Sequence, residues 1–178
     1  MTPSVVRQIG GRAVSVVLAD IVALDVDAIV NAANEQLSAG GGVCGAIFAS
    51  AGPELESACR PLRPCPTGES RITPGFGLKA RHVVHAVGPV WDGGTRNEVE
   101  LLSRAYRSAL QVAASAGAAS IAFPSISTGV YGFPKPLACE TAVDAVLAAL
   151  DGLSSIKSVV FCCFDRESFD IYVRRFAT

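Results

Sequence analysis

Short apolar runs rich in β-branched residues alternate with longer amphipathic stretches along this chain. Residues 5–9 and 13–18 flank a Gly-Gly pair, which predicts two strands joined by a hairpin turn. Residues 28–31 form a short apolar run ending in an asparagine, typical of a strand buried on both faces. In the stretch 97–116 apolar residues recur close to the 3.6-residue period, which predicts a long helix.

The second half of the chain predicts strands that alternate with helices, a pattern typical of parallel βαβ crossovers in a sheet covered on both faces. Residues 61–80 hold four prolines and three glycines and are interpreted as an irregular connector. We therefore expect one domain over residues 1–178, a three-layer α/β/α fold with a mixed, largely parallel central sheet. The other predicted strands are 82–87, 121–124 and 158–164, and the other predicted helices are 42–51, 54–60, 136–150 and 167–176.

The composition allows a sizeable core and indicates whether the protein is soluble or bound to a membrane. Half of the 178 residues are apolar and 17% are charged. Mean hydropathy is +0.40, but the apolar runs are far shorter than the ~20 residues that a bilayer span needs. No basic start followed by an apolar stretch opens the chain, so no signal peptide is expected. These features predict a cytoplasmic, soluble protein, expected as a monomer, without membrane partners.

The charge balance argues against a surface that binds a nucleic acid duplex, and the spacing of cysteines and histidines argues against a metal site. Fifteen basic and sixteen acidic residues give a net charge of −1, and no Lys/Arg cluster supports binding of a nucleic acid duplex. The six cysteines show no Cys-x-x-Cys spacing and are interpreted as reduced core residues. His82 and His85 lie three apart in a predicted strand and point to opposite faces. No metal and no cofactor are therefore expected.

A glycine triplet at residues 40–42 opens a predicted helix and follows a strand that ends near Asn31 and Asn34. Glycines let backbone N–H groups approach an anion, and the helix N-terminus adds a favourable dipole. The two carboxamides can donate to and accept from sugar hydroxyls, although they could also cap the loop. The dinucleotide motif Gly-x-Gly-x-x-Gly is also matched up to Gly45. Eight residues separate Asn31 from Gly40, too many for its tight turn, but NAD remains an alternative ligand.

A second candidate anion loop follows the strand predicted at 121–124. Its backbone N–H groups are the expected donors, and an ordinary surface turn is the weaker alternative, since Tyr131 would then be an exposed aromatic residue without purpose. The carboxyl ends of strands form the ligand crevice of α/β sheets. The candidate residues are Ser127, Thr128, Gly129, Val130 and Tyr131.

Two further residues follow predicted strands and are candidates for recognising a base. Asp20 could bind an amino group or simply cap a short helix. Phe164, the last residue of its predicted strand, could stack on a base or belong to the core.

Several separated motifs are spread over nearly the whole chain: Ala19-Asp-Ile21, residues 29–47, Cys65-Pro-Thr-Gly-Glu69, His85-Ala-Val-Gly-Pro89, residues 124–132 and Phe161-Cys-Cys-Phe-Asp165. Together they resemble macrodomains, the ADP-ribose-binding modules, and most closely their MacroD-type hydrolase branch. The resemblance implies that Asp20, beside Ile21, binds the adenine amino group and that Phe164 stacks on adenine. It also implies a first phosphate loop containing Gly41, Gly42 and Val43. The distal ribose would contact Asn34, also the candidate catalytic amide, while Asn31 would be partly structural.

The chain departs from this branch at Cys44 and Phe48, where most members carry a catalytic Asp and a His. Cys44 could be a nucleophile, since a helix N-terminus lowers a thiol pKa, or a small apolar replacement for the carboxylate. The resemblance implies binding of ADP-ribose and hydrolysis of its esters, either O-acetyl-ADP-ribose or mono-ADP-ribosylated acidic side chains. The alternatives are a non-catalytic reader of ADP-ribose or ADP-ribosylated proteins, and an NAD-binding oxidoreductase.

Overall fold

The computed structural model describes residues 2–177, which form a seven-stranded sheet flanked by five α-helices. The sheet runs in the order β1-β2-β7-β6-β3-β5-β4. The strands are β1 Ser4–Ile9, β2 Arg12–Leu18, β3 Ala28–Ala33, β4 Ser70–Pro74, β5 His82–Val87, β6 Ser120–Phe123 and β7 Ser158–Cys163. The helices are α1 Gly42–Ala51, α2 Pro53–Cys59, α3 Glu98–Ser115, α4 Lys135–Leu150 and α5 Arg166–Ala177.

The five central strands are parallel, and antiparallel strands close both edges of the sheet. β1 pairs antiparallel with β2, and β4 pairs antiparallel with β5, whereas β2, β7, β6, β3 and β5 run in one direction. This confirms the predicted mixed, largely parallel sheet. The hairpin turn at Gly10 and Gly11 is also observed, with both residues at positive φ.

The interpretation of residues 61–80 as an irregular connector is wrong for its centre, where β4 forms. Ser70 pairs with Ala86 and Pro74 with His82, so the strand completes the sheet edge. Its buried positions, Ser70 and Thr73, are polar. The segment therefore lacks the apolar run that signals a strand, and its hydrogen bonds to β5 decide its structure. Pro74 is tolerated because it lies at the end of an edge strand.

Helices cover both faces of the sheet and give two separate apolar cores, as the three-layer prediction requires. The larger core packs α3, α4 and α5 against one face, and the smaller core packs α1 and α2 against the other. β3 contributes to both, because successive side chains of a strand point to opposite faces. Ala28 and Val30 enter the larger core, while Ile29 and Ala33 enter the smaller one.

Parallel order brings the carboxyl ends of five strands to a single edge of the sheet. The segments that leave this edge are residues 19–27 after β2, 34–41 after β3, 88–97 after β5, 124–134 after β6 and 164–165 after β7. Every sequence-predicted loop of the site is therefore placed on the same side of the molecule. Within residues 2–177, no helix is both long and apolar enough to cross a membrane.

Candidate functional site

The glycine loop after β3 presents bare backbone at the start of α1. Gly41 is the N-cap of this helix and makes no side-chain capping bond, and Gly42 has φ of +56°, which suits glycine. Gly40, Gly41 and Gly42 are exposed. The first N–H groups of a helix have no partner within it. They remain available here for an anion.

The loop after β6 lies opposite and is held by its own hydrogen bonds. The N–H of Phe133 donates to the Ser127 carbonyl at 2.9 Å, and the N–H of Gly132 donates to the Gly129 carbonyl at 3.0 Å. Thr128 Oγ1 donates to the Ser125 carbonyl at 2.9 Å, so this hydroxyl serves the loop. Ser127 is buried with φ of +66°, and within the described chain its hydroxyl has no hydrogen-bond partner. An orphaned hydroxyl beside a cavity is a ready partner for a ligand.

The two loops enclose a cavity of about 340 Å³, termed here the amide-end cavity because Asn34 lines it. The Asn34 side chain exchanges hydrogen bonds with Ser38, donating to its carbonyl at 3.1 Å and accepting from its N–H at 3.2 Å. These bonds fix the carboxamide at the cavity wall. Asn34 thus shapes the loop and lines the cavity at once.

Asn31 was expected to be partly structural and partly ligand-binding, and the structure shows the structural part. Its side chain is 0% exposed and donates to His85 Nδ1 at 3.1 Å beneath the cavity floor. The reason is register, since β3 continues to Ala33 and places Asn31 inside the sheet opposite His85. Asn31 therefore supports the floor and does not reach a ligand directly in this structure.

A second cavity of about 310 Å³, the aromatic-end cavity, lies where β2 and β7 end. Phe164 follows β7 and is 82% exposed at this cavity, so it does not belong to the core. Asp20 lines it beside the buried Ile21 and also accepts from the Val22 N–H at 3.2 Å. The capping role that the sequence left open for Asp20 is thus observed, together with a position at the cavity.

The two cavities form one elongated cleft, because Gly42, Val43, Ser125 and Gly129 line both of them. An exposed aromatic ring and a carboxylate mark one end, and an anchored carboxamide marks the other. Backbone N–H groups of the loops at residues 40–42 and 127–131 lie between these two ends. This order suits a ligand with a base at one end, phosphates in the middle and a polar sugar at the far end.

Cys44 lies in the amide-end cavity wall but is only 6% exposed. Burial raises the pKa of its thiol, and hydrogen bonds with Asn31 and the backbone of Gly40 oppose this only in part. Its Sγ also lies 3.6 Å from the Ser38 carbonyl. The lowered thiol pKa expected at this helix N-terminus is therefore not found, because burial of the thiol raises the pKa.

No base activates the Cys44 thiol among the residues that the structure describes. Its hydrogen-bonding neighbours are a carboxamide and backbone groups. Phe48 is buried on the same helix, and its ring centroid lies 6.3 Å from that of His85. His85 itself is fully buried, and burial lowers its pKa to about 4. The nucleophile alternative for Cys44 finds no support in this geometry.

Some residues of the cleft were not singled out by sequence reasoning. Gly88 and Ile126 line the amide-end cavity, and Ser125 lines both cavities. Gly88 follows β5, and the rule that loops at strand carboxyl ends form the crevice could have identified it.

All six cysteines lie within residues 2–177 and are free and buried, as the sequence predicted.

Fold and cleft together define an α/β domain with a cleft at the carboxyl edge of its sheet whose order of chemical groups suits a phosphate-containing nucleotide sugar. Comparison with known proteins identifies it more closely: the chain belongs to the Macro domain family, whose model matches residues 30–142. A macro domain-containing protein of Mesorhizobium japonicum is 51% identical over 158 residues, covering 89% of this chain and 90% of that protein. An O-acetyl-ADP-ribose deacetylase of Klebsiella pneumoniae is 50% identical over 167 residues, covering 92% and 95%.

Solved structures show the same fold. The Oceanobacillus iheyensis macrodomain with ADP superposes with a TM-score of 0.94 at 37% identity, covering 99% of this chain and 96% of that one. The Trypanosoma brucei macrodomain in complex with ADP-ribose gives a TM-score of 0.86 at 37% identity, covering 92% and 68%. The macrodomain fold predicted from the sequence is confirmed.

Proposed function

We propose that this protein binds ADP-ribose in the continuous cleft and hydrolyses ADP-ribose esters there. The observation that carries the proposal is the order of chemical groups along the cleft, from Phe164 and Asp20 to Asn34. That order matches adenine, two phosphates and the distal ribose. The relatives named O-acetyl-ADP-ribose deacetylase support the same assignment.

Each part of the ligand has a physical reason for its place. Adenine stacks on the exposed ring of Phe164, and the Asp20 carboxylate accepts from its amino group. The diphosphate lies between the N–H groups at the start of α1 and those of residues 127–131. In this proposal the distal ribose reaches Asn34 and the ester bond lies beside Cys44, since both residues line the amide-end cavity.

Hydrolysis in this site uses water and the substrate's own groups. Water adds to the ester carbonyl, the ribose hydroxyl leaves, and the carboxylic acid is released. A carboxylate at position 44 would contribute about 10²- to 10⁴-fold as a general base. Without it, a ligand phosphate accepts the proton of the water while the two loops hold the ester in place. We therefore propose a slow hydrolase.

A reader that binds ADP-ribosylated proteins without turnover is the second candidate. Cys44 favours it, because its thiol is buried, its pKa is raised and its neighbours include no base among the described residues. An NAD-dependent oxidoreductase is not favoured, because the glycines at 40–45 that match its dinucleotide motif lie within the match to the Macro domain family. The cytoplasmic location stays a prediction.

The proposal predicts that ADP-ribose binds in the micromolar range, about −8 kcal/mol, and that AMP binds at least tenfold more weakly. AMP lacks the second phosphate and the distal ribose, so it cannot engage the glycine loop and Asn34 together. Isothermal titration calorimetry with both ligands measures this difference. Equal affinities would show that the loop at residues 40–42 holds no phosphate.

The hydrolase and the reader differ in the predicted behaviour of Cys44 variants. For a slow hydrolase, Cys44→Asp raises turnover of O-acetyl-ADP-ribose by about three- to tenfold, less than a full general-base effect, because the buried Phe48 one turn along the same helix keeps this neighbourhood apolar. Cys44→Ala leaves turnover nearly unchanged. Release of acetate measures both. If Cys44→Ala abolishes turnover while ADP-ribose still binds, Cys44 is a nucleophile and the mechanism is wrong; no turnover in any variant identifies a reader.

A further inference from the structure

A third depression of about 590 Å³ adjoins the amide-end cavity and is termed here the flanking groove. The two share Asn34, Gly88 and Tyr131, so the groove opens where the proposed distal ribose ends. Residues 34–38 with Thr67 form one wall, and residues 87–101 contribute the other. A group bonded to the distal ribose would enter this groove.

Hydrogen bonds to a carboxylate hold each wall of the flanking groove in place. On one side Glu35 accepts from the N–H of Thr67 at 3.1 Å and from its hydroxyl at 2.8 Å. On the other side the buried carboxylate of Glu98 accepts three backbone N–H groups of the loop, from Asp92, Gly94 and Arg96, at 2.8, 3.0 and 2.7 Å. The walls are therefore ordered before a ligand arrives, which lowers the entropy cost of binding.

The groove is much larger than an acetyl group requires. An acetyl group has three heavy atoms and fills about 90 Å³ if each takes the space of a water molecule, ~30 Å³. The groove offers about 590 Å³. A substituent of several residues' length is needed to occupy it.

Charge and apolar exposure indicate the chemistry of that substituent. Arg96 is the one cationic side chain among the described residues that line the groove, and Asp92 already pairs with it at 2.6 Å. Glu35 lines the opposite wall, so a phosphodiester chain would meet a carboxylate without a free cation. Val90 is 60% exposed in the groove beside Pro89, which gives apolar contact to a polypeptide.

We propose that the flanking groove binds the polypeptide segment around an ADP-ribosylated residue, so that protein-linked ADP-ribose binds more tightly than ADP-ribose alone. This inference rests on the proposed function, because the ribose must lie at Asn34 for its substituent to enter the groove. Backbone amides of the segment meet the polar wall at Glu35 and Gln36, and its side chains meet Val90.

The test compares free ADP-ribose with a peptide that carries ADP-ribose through a hydrolysis-resistant amide bond. In the wild type we expect the peptide conjugate to bind about fivefold more tightly than ADP-ribose, measured by competition in fluorescence anisotropy. Val90→Asp should remove that gain and leave the affinity for ADP-ribose unchanged. Val6→Asp is the matched control, since Val6 is 55% exposed on β1, which forms the opposite edge of the sheet from β5 and β4.

The possible outcomes distinguish a failure of the groove assignment from a failure of the proposed function. If ADP-ribose does not bind the wild type, the proposed function fails. If ADP-ribose binds but the peptide conjugate gains nothing, or if Val6→Asp removes the gain as Val90→Asp does, the groove assignment is overturned. The same gain with an ADP-ribosylated oligonucleotide in place of the peptide also overturns it.

Discussion

Gly88→Ala is expected to weaken ADP-ribose binding at least 50-fold while the domain stays folded. Gly88 follows β5 and packs directly against the loop after β6. A Cβ built at this position would overlap Ser127 Oγ and would lie 2.5 Å from Ile126 Cγ2. Both residues line the amide-end cavity, and Ser127 already holds a φ of +66°. The side chains of Ser127 and the buried Ile126 must therefore shift to admit the methyl group, and we expect this to disturb the loop proposed to contact the diphosphate.

The energy scale supports this size of effect. Overpacking a tight contact costs about 1–3 kcal/mol, and a 50-fold loss of affinity corresponds to about 2.3 kcal/mol. Calorimetry with ADP-ribose measures the affinity, and circular dichroism monitors folding. Gly152→Ala is the control, because its added Cβ meets only the Ala149 carbonyl at an ordinary 3.9 Å, far along the chain from the cleft loops.

A double variant makes the explanation specific. Adding Ser127→Gly to Gly88→Ala removes the hydroxyl that the new methyl group meets and places glycine at a positive φ. Only the contact with Ile126 then remains, so part of the affinity should return. Unchanged affinity in Gly88→Ala, or an equal loss in Gly152→Ala, would contradict the packing explanation.

Local sequence signals predicted the parts of the site that depend on backbone chemistry. The glycines at 40–42, the loop at 127–131 and the residues after β2 and β7 carry their own turn and cap signals. Parallel strand order then places them at one edge. The strand β4 carries no comparable signal, because its buried positions are Ser70 and Thr73 and only pairing with β5 stabilises it.

What the sequence could not predict depends on burial and register. The family resemblance implies different roles for Asn31 and Asn34, but the sequence does not show the physical reason, which is that β3 ends at Ala33, between them. One carboxamide is therefore sealed inside the sheet and the other lines the cleft. For Cys44, the sequence shows a position in the first turn of a helix, but only the structure shows that the thiol is buried and that burial raises its pKa.

The buried network beneath the cleft predicts a pH effect on stability that can be traced to His85. This ring is 0% exposed, with Asn31 Nδ2 3.1 Å from Nδ1 and Thr73 Oγ1 3.0 Å from Nε2. Cys59 Sγ also lies 3.6 Å from Nε2. These neighbours carry no negative charge that would stabilise an imidazolium, and burial lowers the pKa of His85 from 6.5 to about 4.

His85 should therefore lower the free energy of unfolding as the pH falls below 6.5. The unfolded chain takes up the proton at pH 6.5, whereas the folded chain resists it until about pH 4, so stability is complete above 6.5 and declines between these values. The difference between the unfolded and folded pKa of His85 corresponds to about 3 kcal/mol in total, of which about 2 kcal/mol is lost by pH 5. Urea unfolding of the wild type at pH 7.0 and 5.0 measures this loss.

His85→Gln should be less stable than the wild type at pH 7 but should lose about 2 kcal/mol less on going to pH 5, because Gln does not titrate. His82 and the carboxylates remain in both proteins, so their contributions cancel in the comparison. If the variant is too unstable to measure, NMR titration of the wild type tests the same claim, since the His85 ring should stay neutral at pH 5. An imidazolium signal at that pH, or identical pH slopes in the two proteins, would show that the buried ring accepts its proton in the folded state and does not oppose acidification.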